Sequence, residues 1–420
     1  MIGIEKRRAS ILSHSLQIFT GRGLLKILLT CYVSIVPMIS WSQTKLVPYR
    51  AGDAWGFCDA DKSIVVRPKY QYVDKFFNGY ARVRSSNRYG LVNEKGELVI
   101  KTDYDDVYDV SDNRVAVEQN GRWGFSDPSG RIIVPPEFDE VNSFCENLAA
   151  VKKGDNWGFI DTAGKVVIPI IYSKVFSFKS GLAGVLKENK AGFITEDGKE
   201  AVEIKYDDIP LRYDDMFSDG LSAVELNGYW GFVDLKGKLV IPNIFNFVFA
   251  FSEGMAGFIE GHKCGFIDRD GKVVVNPVYD NVFEFHEGFA CVGSGTRRGY
   301  INRRAKLITE IKYNWANSFS DGRARVGSGV KFGFIGTTGI EVVPLIYDGA
   351  DDFHEGLAAV MKGGHWGYVD RNGKVVIPFR YDSATKFEEG IALVKYNGQF
   401  GYIGKNGQEY WNGSSDESVR

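Results

Sequence analysis

An aromatic residue, a glycine and a second aromatic residue return along this chain at a fixed interval, and such a period constrains the fold more than any single element can. The motif stands at Trp55-Gly56-Phe57, Trp123-Gly124-Phe125, Trp157-Gly158-Phe159, Trp230-Gly231-Phe232 and Trp366-Gly367-Tyr368. Degenerate copies at Tyr89-Gly90, Ala191-Gly192, Cys264-Gly265, Arg298-Gly299, Phe332-Gly333 and Phe400-Gly401 fill the gaps, giving eleven anchors. Nine of the ten intervals are 34 residues; the interval from Ala191 to Trp230 is 39, with five extra residues around Ile209–Asp214. Chance does not hold such a register nine times.

Each unit repeats the same local devices. Leu148-Ala149-Ala150-Val151 and its equivalents read as a first strand, Trp157-Gly158-Phe159-Ile160-Asp161 as a second, and Lys165-Val166-Val167-Ile168-Pro169 as a third. The Asp161-Thr162-Ala163-Gly164 spacing suits a tight turn whose last residue takes a positive φ, and glycine holds that place in all copies except those with Lys62 and Ala305. Pro68, Pro135, Pro169, Pro242, Pro277, Pro344 and Pro378 cannot donate to a ladder and are expected to end pairing there. A connector follows, clear at Tyr279, Asp280, Val282, Phe285 and Gly288, whose apolar positions are expected to pack between neighbours.

Such a unit offers five or six inward apolar groups at about 1.5–3 kcal/mol each. Ordering its backbone costs on the order of 1–2 kcal/mol per residue. No unit stands alone, so stability must come from stacking. With 49 glycines and no long amphipathic stretch, the chain reads as all-β. The expected architecture is an open superhelical or solenoid array of eleven three-stranded antiparallel meanders over 43–411, with 412–420 a disordered tail. The alternative is two β-propellers, units one to five and six to eleven, parted by the five-residue insertion; blades usually carry four strands, which three-stranded units lack.

The stretch Trp157-Gly158-Phe159-Ile160-Asp161 through Lys165-Val166-Val167-Ile168-Pro169 and its copies over 46–411 resembles the WG-repeat family, also described as KWG repeats. The resemblance implies a β-repeat scaffold, often in envelope or secreted proteins, and assigns no reaction or catalytic residue. Six of the eleven units lack the tryptophan.

Ahead of the repeats, Arg22 and Lys26 precede the apolar run 27–39, which Ser40-Trp41-Ser42 follows. This reads as a secretory signal over 1–42 cut after Ser42, the run being too short to span a bilayer comfortably. The chain is therefore expected to be exported, periplasmic, at the cell surface or secreted; a retained N-terminal membrane anchor is the alternative. Cys58, Cys145, Cys264 and Cys291 show no repeated spacing and read as free thiols.

Little in the sequence points to a reaction. With 51 basic and 53 acidic residues, general nucleic-acid binding is disfavoured. The histidines, His286 and His354 two periods apart among them, make no zinc-binding pattern, and neither a nucleophile elbow nor a phosphate-cradling loop is present. No metal and no cofactor is expected. The recurrent Asp59, Asp127, Asp161, Asp234, Asp268 and Asp370 are better explained as turn formers than as calcium ligands or paired acids. Trp55, Trp123, Trp157, Trp230 and Trp366 share one position and are either inter-repeat core or a row of ligand-contacting rings. The expected function is a non-enzymatic exported scaffold for a protein or peptide at the cell envelope. A carbohydrate-binding surface protein using exposed aromatics is the alternative, and a hydrolase the least favoured.

Overall fold

The computed structural model describes residues 45–210 and 216–412, which hold strands, turns and bends and no helix. The signal expected over 1–42 and the tail at 413–420 lie outside the described residues. Eleven antiparallel sheets follow one another, at 47–70, 72–104, 106–138, 140–172, 174–206, 221–245, 247–279, 281–302, 315–347, 349–381 and 383–404, numbered here sheet 1 to sheet 11.

Sheet 4 shows why these residues make strands. Leu148–Lys153 buries Leu148 to Val151 without alternation, because it lies inside the sheet with neighbouring sheets against both faces. In Val166–Tyr172, the edge strand, only Ile168 and Tyr172 are buried. Asn156–Asp161 joins the two, with Gly158, Phe159 and Ile160 buried.

The glycine and the proline of each unit prove to be one device. Trp157 pairs with Tyr172 but Phe159 pairs with Ile168, so the third strand carries two extra residues in a bulge. That bulge lies on Gly158, where a Cβ would fall 2.6 Å from the Ile168 carbonyl oxygen. Pro169 sits within it. The expectation that proline ends pairing is corrected: the strand bulges at proline and pairs again three residues later at Tyr172, as it does after Pro378 in sheet 10, and two residues later after Pro68 in sheet 1.

The second turn follows the sequence closely. The Asp161 carboxylate accepts hydrogen bonds from the Ala163 and Lys165 amides at 2.9 Å, and Gly164 has φ 85°. Lys62 and Ala305 take φ 65° and 60° in its place.

The connector holds what the sequence reading missed. Lys174–Val175 pairs with the far end of Leu182–Lys187, and the hairpin closes over Ser180 and Gly181, both at positive φ. The connector is thus a fourth strand broken by a register shift, resolved as one six-residue strand at Phe247–Ser252. Seven sheets carry four named strands; isolated bridges, such as Asp208 with Glu225 and Ile403 with Glu409, stand for missing strands elsewhere. Four strands per sheet is the propeller number.

The open array is likewise corrected. Ten interfaces would serve eleven sheets in a line, whereas eleven apolar clusters each join two neighbours, the eleventh uniting Val47, Tyr49 and Cys58 of sheet 1 with Ile391 and Tyr410 of sheet 11. The arrangement is a β-propeller-like ring, the closure anticipated by the alternative reading, made as one ring instead of two. At the seam the Arg50 amide donates to the Tyr410 carbonyl at 3.2 Å and the Asn412 amide to the Arg50 carbonyl at 3.0 Å. The Tyr49 hydroxyl reaches Asn412 Oδ1 at 2.7 Å. Asn412, assigned to the tail from sequence, is therefore part of the closure.

Candidate functional site

The five tryptophans stand beside the turn between first and second strands. Each faces an aromatic residue on the third strand: Trp55 with Tyr70, Trp123 with Phe138, Trp157 with Tyr172, Trp230 with Phe245 and Trp366 with Tyr381. All five are half-buried and pack on the inter-sheet clusters. The fully buried ring is the one two residues on. Phe159 meets Phe178 of the next connector edge-on at 4.9 Å, and Phe57, Phe125, Phe232, Phe266 and Phe334 make the same contact. Trp123 and Trp157 lie in adjacent sheets, while Trp55, Trp230 and Trp366 stand apart, so the indoles form no unbroken row.

Two ladders of acidic residues organise the turns; the sequence marks Asp280 as a connector residue but gives no sign of what either ladder caps. At one end of the sheets the aspartate of the connector caps the turn between first and second strands: Asp139 Oδ2 accepts the Gly154 amide, Asp280 the Gly295 amide and Asp348 the Gly363 amide. The same carboxylates meet cations of the second strand, with Lys263 Nζ 2.6 Å from Asp280 and Lys331 on Asp348. Hydrogen bonds from Lys263 and Lys331, then from the turn amides, hold Asp280 and Asp348 below the usual carboxylate range. At the other end each carboxylate reaches the next sheet. Glu146 accepts the Ser180 and Gly181 amides, Glu253 the Gly288 amide, Glu287 the Gly322 amide, Asp321 the Gly356 amide, and Glu355 the Glu389 and Gly390 amides. The signal was visible in Phe-His-Glu-Gly at His286 and His354, but in the glutamate. Of the two histidines, His354 bonds the Phe387 carbonyl through Nδ1 and His286 is exposed.

The second ladder runs out at the seam, where Lys45 takes Glu389 at 2.7 Å and Lys75 takes Glu388 at 2.6 Å. Beside these pairs opens a cavity of about 580 Å³ between the connectors of sheets 2 and 3 and those of sheets 10 and 11. Asp74, Asp109, Glu355, Glu388 and Glu389 outnumber Lys75 and Arg82 in its walls, and Phe77, 52% exposed, supplies an open apolar face. Hydrogen bonds from Lys75 and Lys386 hold Glu388 down to about 2. Burial, reinforced by Asp74, raises Asp109.

Among the described residues the four cysteines carry free thiols, three of them buried, and burial pushes Cys58 and Cys291 up to about 12, far from a reactive thiolate. Among the described residues no group of three His, Cys, Asp or Glu side chains could hold a metal ion. The turn aspartates bond the backbone instead: Asp59, Asp127, Asp161, Asp234, Asp268 and Asp370 each accept two amides of their own turn.

No curated protein matches this chain. Among solved structures, a eukaryotic initiation factor aligns at TM-score 0.43 and 12% identity, over 78% of this chain and 94% of its own. The extracellular domain of a hybrid two-component system protein from B. thetaiotaomicron aligns at 0.24 and 10%, over 86% and 61%. PorZ, a surface component of the type-IX secretion system of Porphyromonas gingivalis, aligns at 0.24 and 11%, over 85% and 72%. At these values none of them bears on what this chain does. The family model described as WG containing repeat matches ten consecutive stretches: 55–89, 89–123, 123–157, 157–190, 192–230, 230–264, 265–293, 299–328, 332–365 and 366–400. With ten matches in register over 55–400, on sheets each built round the glycine of that motif, this chain belongs to the family of WG containing repeats.

Proposed function

We propose that this protein is an exported, non-enzymatic repeat scaffold that binds a protein or peptide partner at the cell envelope. The observation that carries the reading is how the recurrent polar residues are engaged: the turn aspartates and both acidic ladders bond backbone amides, as a framework requires. The cavity at the seam supports a peptide ligand, since it combines carboxylates with the open ring of Phe77. Export rests on the signal read from sequence over 1–42. The test is affinity capture from an envelope fraction with the wild-type chain and with Phe77→Ser, alongside fractionation of cells expressing the tagged protein. A partner retained by the wild type and lost by the variant supports the reading; equal capture by both, or a tagged chain confined to the cytoplasm, removes it.

A carbohydrate reading is favoured by one observation, that Trp123 and Trp157 stand half-buried in adjacent sheets. Trp157→Ala and Trp366→Ala separate the roles: lost folding assigns the indoles to the framework, whereas retained folding with lost glycan binding assigns them to a ligand.

A further inference from the structure

The turns between second and third strands differ in charge around the ring. Those of sheets 2 and 5 present Glu94, Glu97, Glu196, Asp197 and Glu200 against Lys95 and Lys199. Those of sheets 6, 7 and 8, over 234–239, 268–274 and 302–307, carry seven basic residues against three acidic ones. Two of the three acids, Asp234 and Asp268, bond their own turn amides, and one of the seven cations, Arg303, is paired with Glu253 at 2.7 Å. Lys236, Lys238, Arg269, Lys272, Arg304 and Lys306 remain as an exposed set.

The three turns are contiguous. A Cβ at Gly271 would lie 3.1 Å from Ile241 Cγ2, so the turn of sheet 7 rests on the third strand of sheet 6. Ala305 packs on the cluster containing Val275, which seats the turn of sheet 8 on sheet 7. Between the cations project aliphatic side chains: Leu235, Leu239, Val273 and Leu307 are 40%, 41%, 41% and 44% exposed.

We propose that this arc docks on an anionic lipid surface. Cations at phosphate level with aliphatic side chains pushed into the headgroup boundary are what such a surface takes up. A single-stranded nucleic acid is typically held by rings on which its bases stack, and these turns hold none. Against the slightly acidic balance of the whole chain, the three turns together carry four more basic than acidic residues, three of the four in the turn of sheet 8. The inference is independent of the partner proposed above, since the arc and the seam cavity share no residue.

The test sediments the full-length chain with vesicles of phosphatidylcholine alone and of phosphatidylcholine with phosphatidylglycerol. Wild type should bind the anionic vesicles selectively, and binding should weaken as salt rises. Combined Lys236→Glu, Lys272→Glu and Arg304→Glu should weaken binding at least about tenfold at ordinary ionic strength. Leu239→Ser with Val273→Ser should weaken it by about threefold or more. Lys165→Glu, on sheet 4 outside the arc, should change little, and unfolding midpoints should stay together because all these residues are exposed. Binding indifferent to phosphatidylglycerol, or unchanged by the charge reversals, overturns the proposal. Loss on charge reversal with full retention in the Leu239 and Val273 variant also overturns it, reassigning the arc to a soluble polyanion or an acidic protein.

Discussion

Phe193 and Phe217 meet edge to face at 4.8 Å although 24 residues separate them, whereas the same contact between Phe159 and Phe178 spans 19. The five extra residues thus leave the ring-on-ring contact between a second strand and the next connector unchanged. This contact recurs between neighbouring sheets and should dominate their adhesion. Phe178 is 1% exposed, so Phe178→Ala should cost about 3–4 kcal/mol. Phe217 is half-buried, and its replacement should cost visibly less. Chemical denaturation of the two variants checks the order.

Closure should be measurable separately from sheet stability. Trp411 is 6% exposed and bridges to Arg50, and a Cβ at Gly401 would lie 2.4 Å from the Trp411 ring. Trp411→Ala should cost about 3–5 kcal/mol. It should also enlarge the radius seen by small-angle scattering as sheets 1 and 11 part. An unchanged radius would mean that the ends are held by other contacts.

The glycines divide into two kinds with different costs. At Gly158 a methyl group would strike the backbone of the bulge, so Gly158→Ala should lower stability by about 2–3 kcal/mol or more. At Gly154 nothing stands within 4 Å of the same methyl, and only its φ of 65° is strained, so Gly154→Ala should cost about 1 kcal/mol. Thermal unfolding of the pair reads the difference directly.

Acid should open the seam. Glu388 is held down to about 2 by Lys75 and Lys386, below its ordinary 4.5. A carboxylate whose folded value is depressed stabilises the fold fully above its unfolded value, and that contribution disappears as pH falls through the folded one. Stability should therefore decline between about pH 4.5 and 2, with Asp280 and Asp348 contributing in the same direction. In Glu388→Gln the slope of the unfolding temperature against pH over this range should flatten. An equally steep slope would mean that the Lys75 pair contributes nothing to closure.

What the sequence disclosed and what it hid follow physical lines. Trp157-Gly158-Phe159, Asp161 and Gly164 were legible because their causes are local: alternation, turn chemistry and positive φ recur at a period a reader can count. The connector strand was not, since the shift between Val248 and Phe251 breaks the period-two pattern that marks a strand. The bulge at Pro169 was misread because proline forbids a ladder donor without forbidding the strand beyond it. Nor could the contact of Arg50 with Trp411 be counted out, because closure depends on curvature summed over all eleven sheets. At the seam, Glu388 and Glu389 line a cavity with Asp74, more than 300 residues away in sequence. No local pattern announces such a meeting.

The bond between Arg50 and Asn412 carries a consequence for the whole molecule. An open stack would absorb a gained or lost copy at either end. A closed circuit takes one only by redistributing its curvature: with ten segments or twelve, the angle at every interface would have to change for the two termini to join. The latch thus ties the number of segments to the angle each makes with the next.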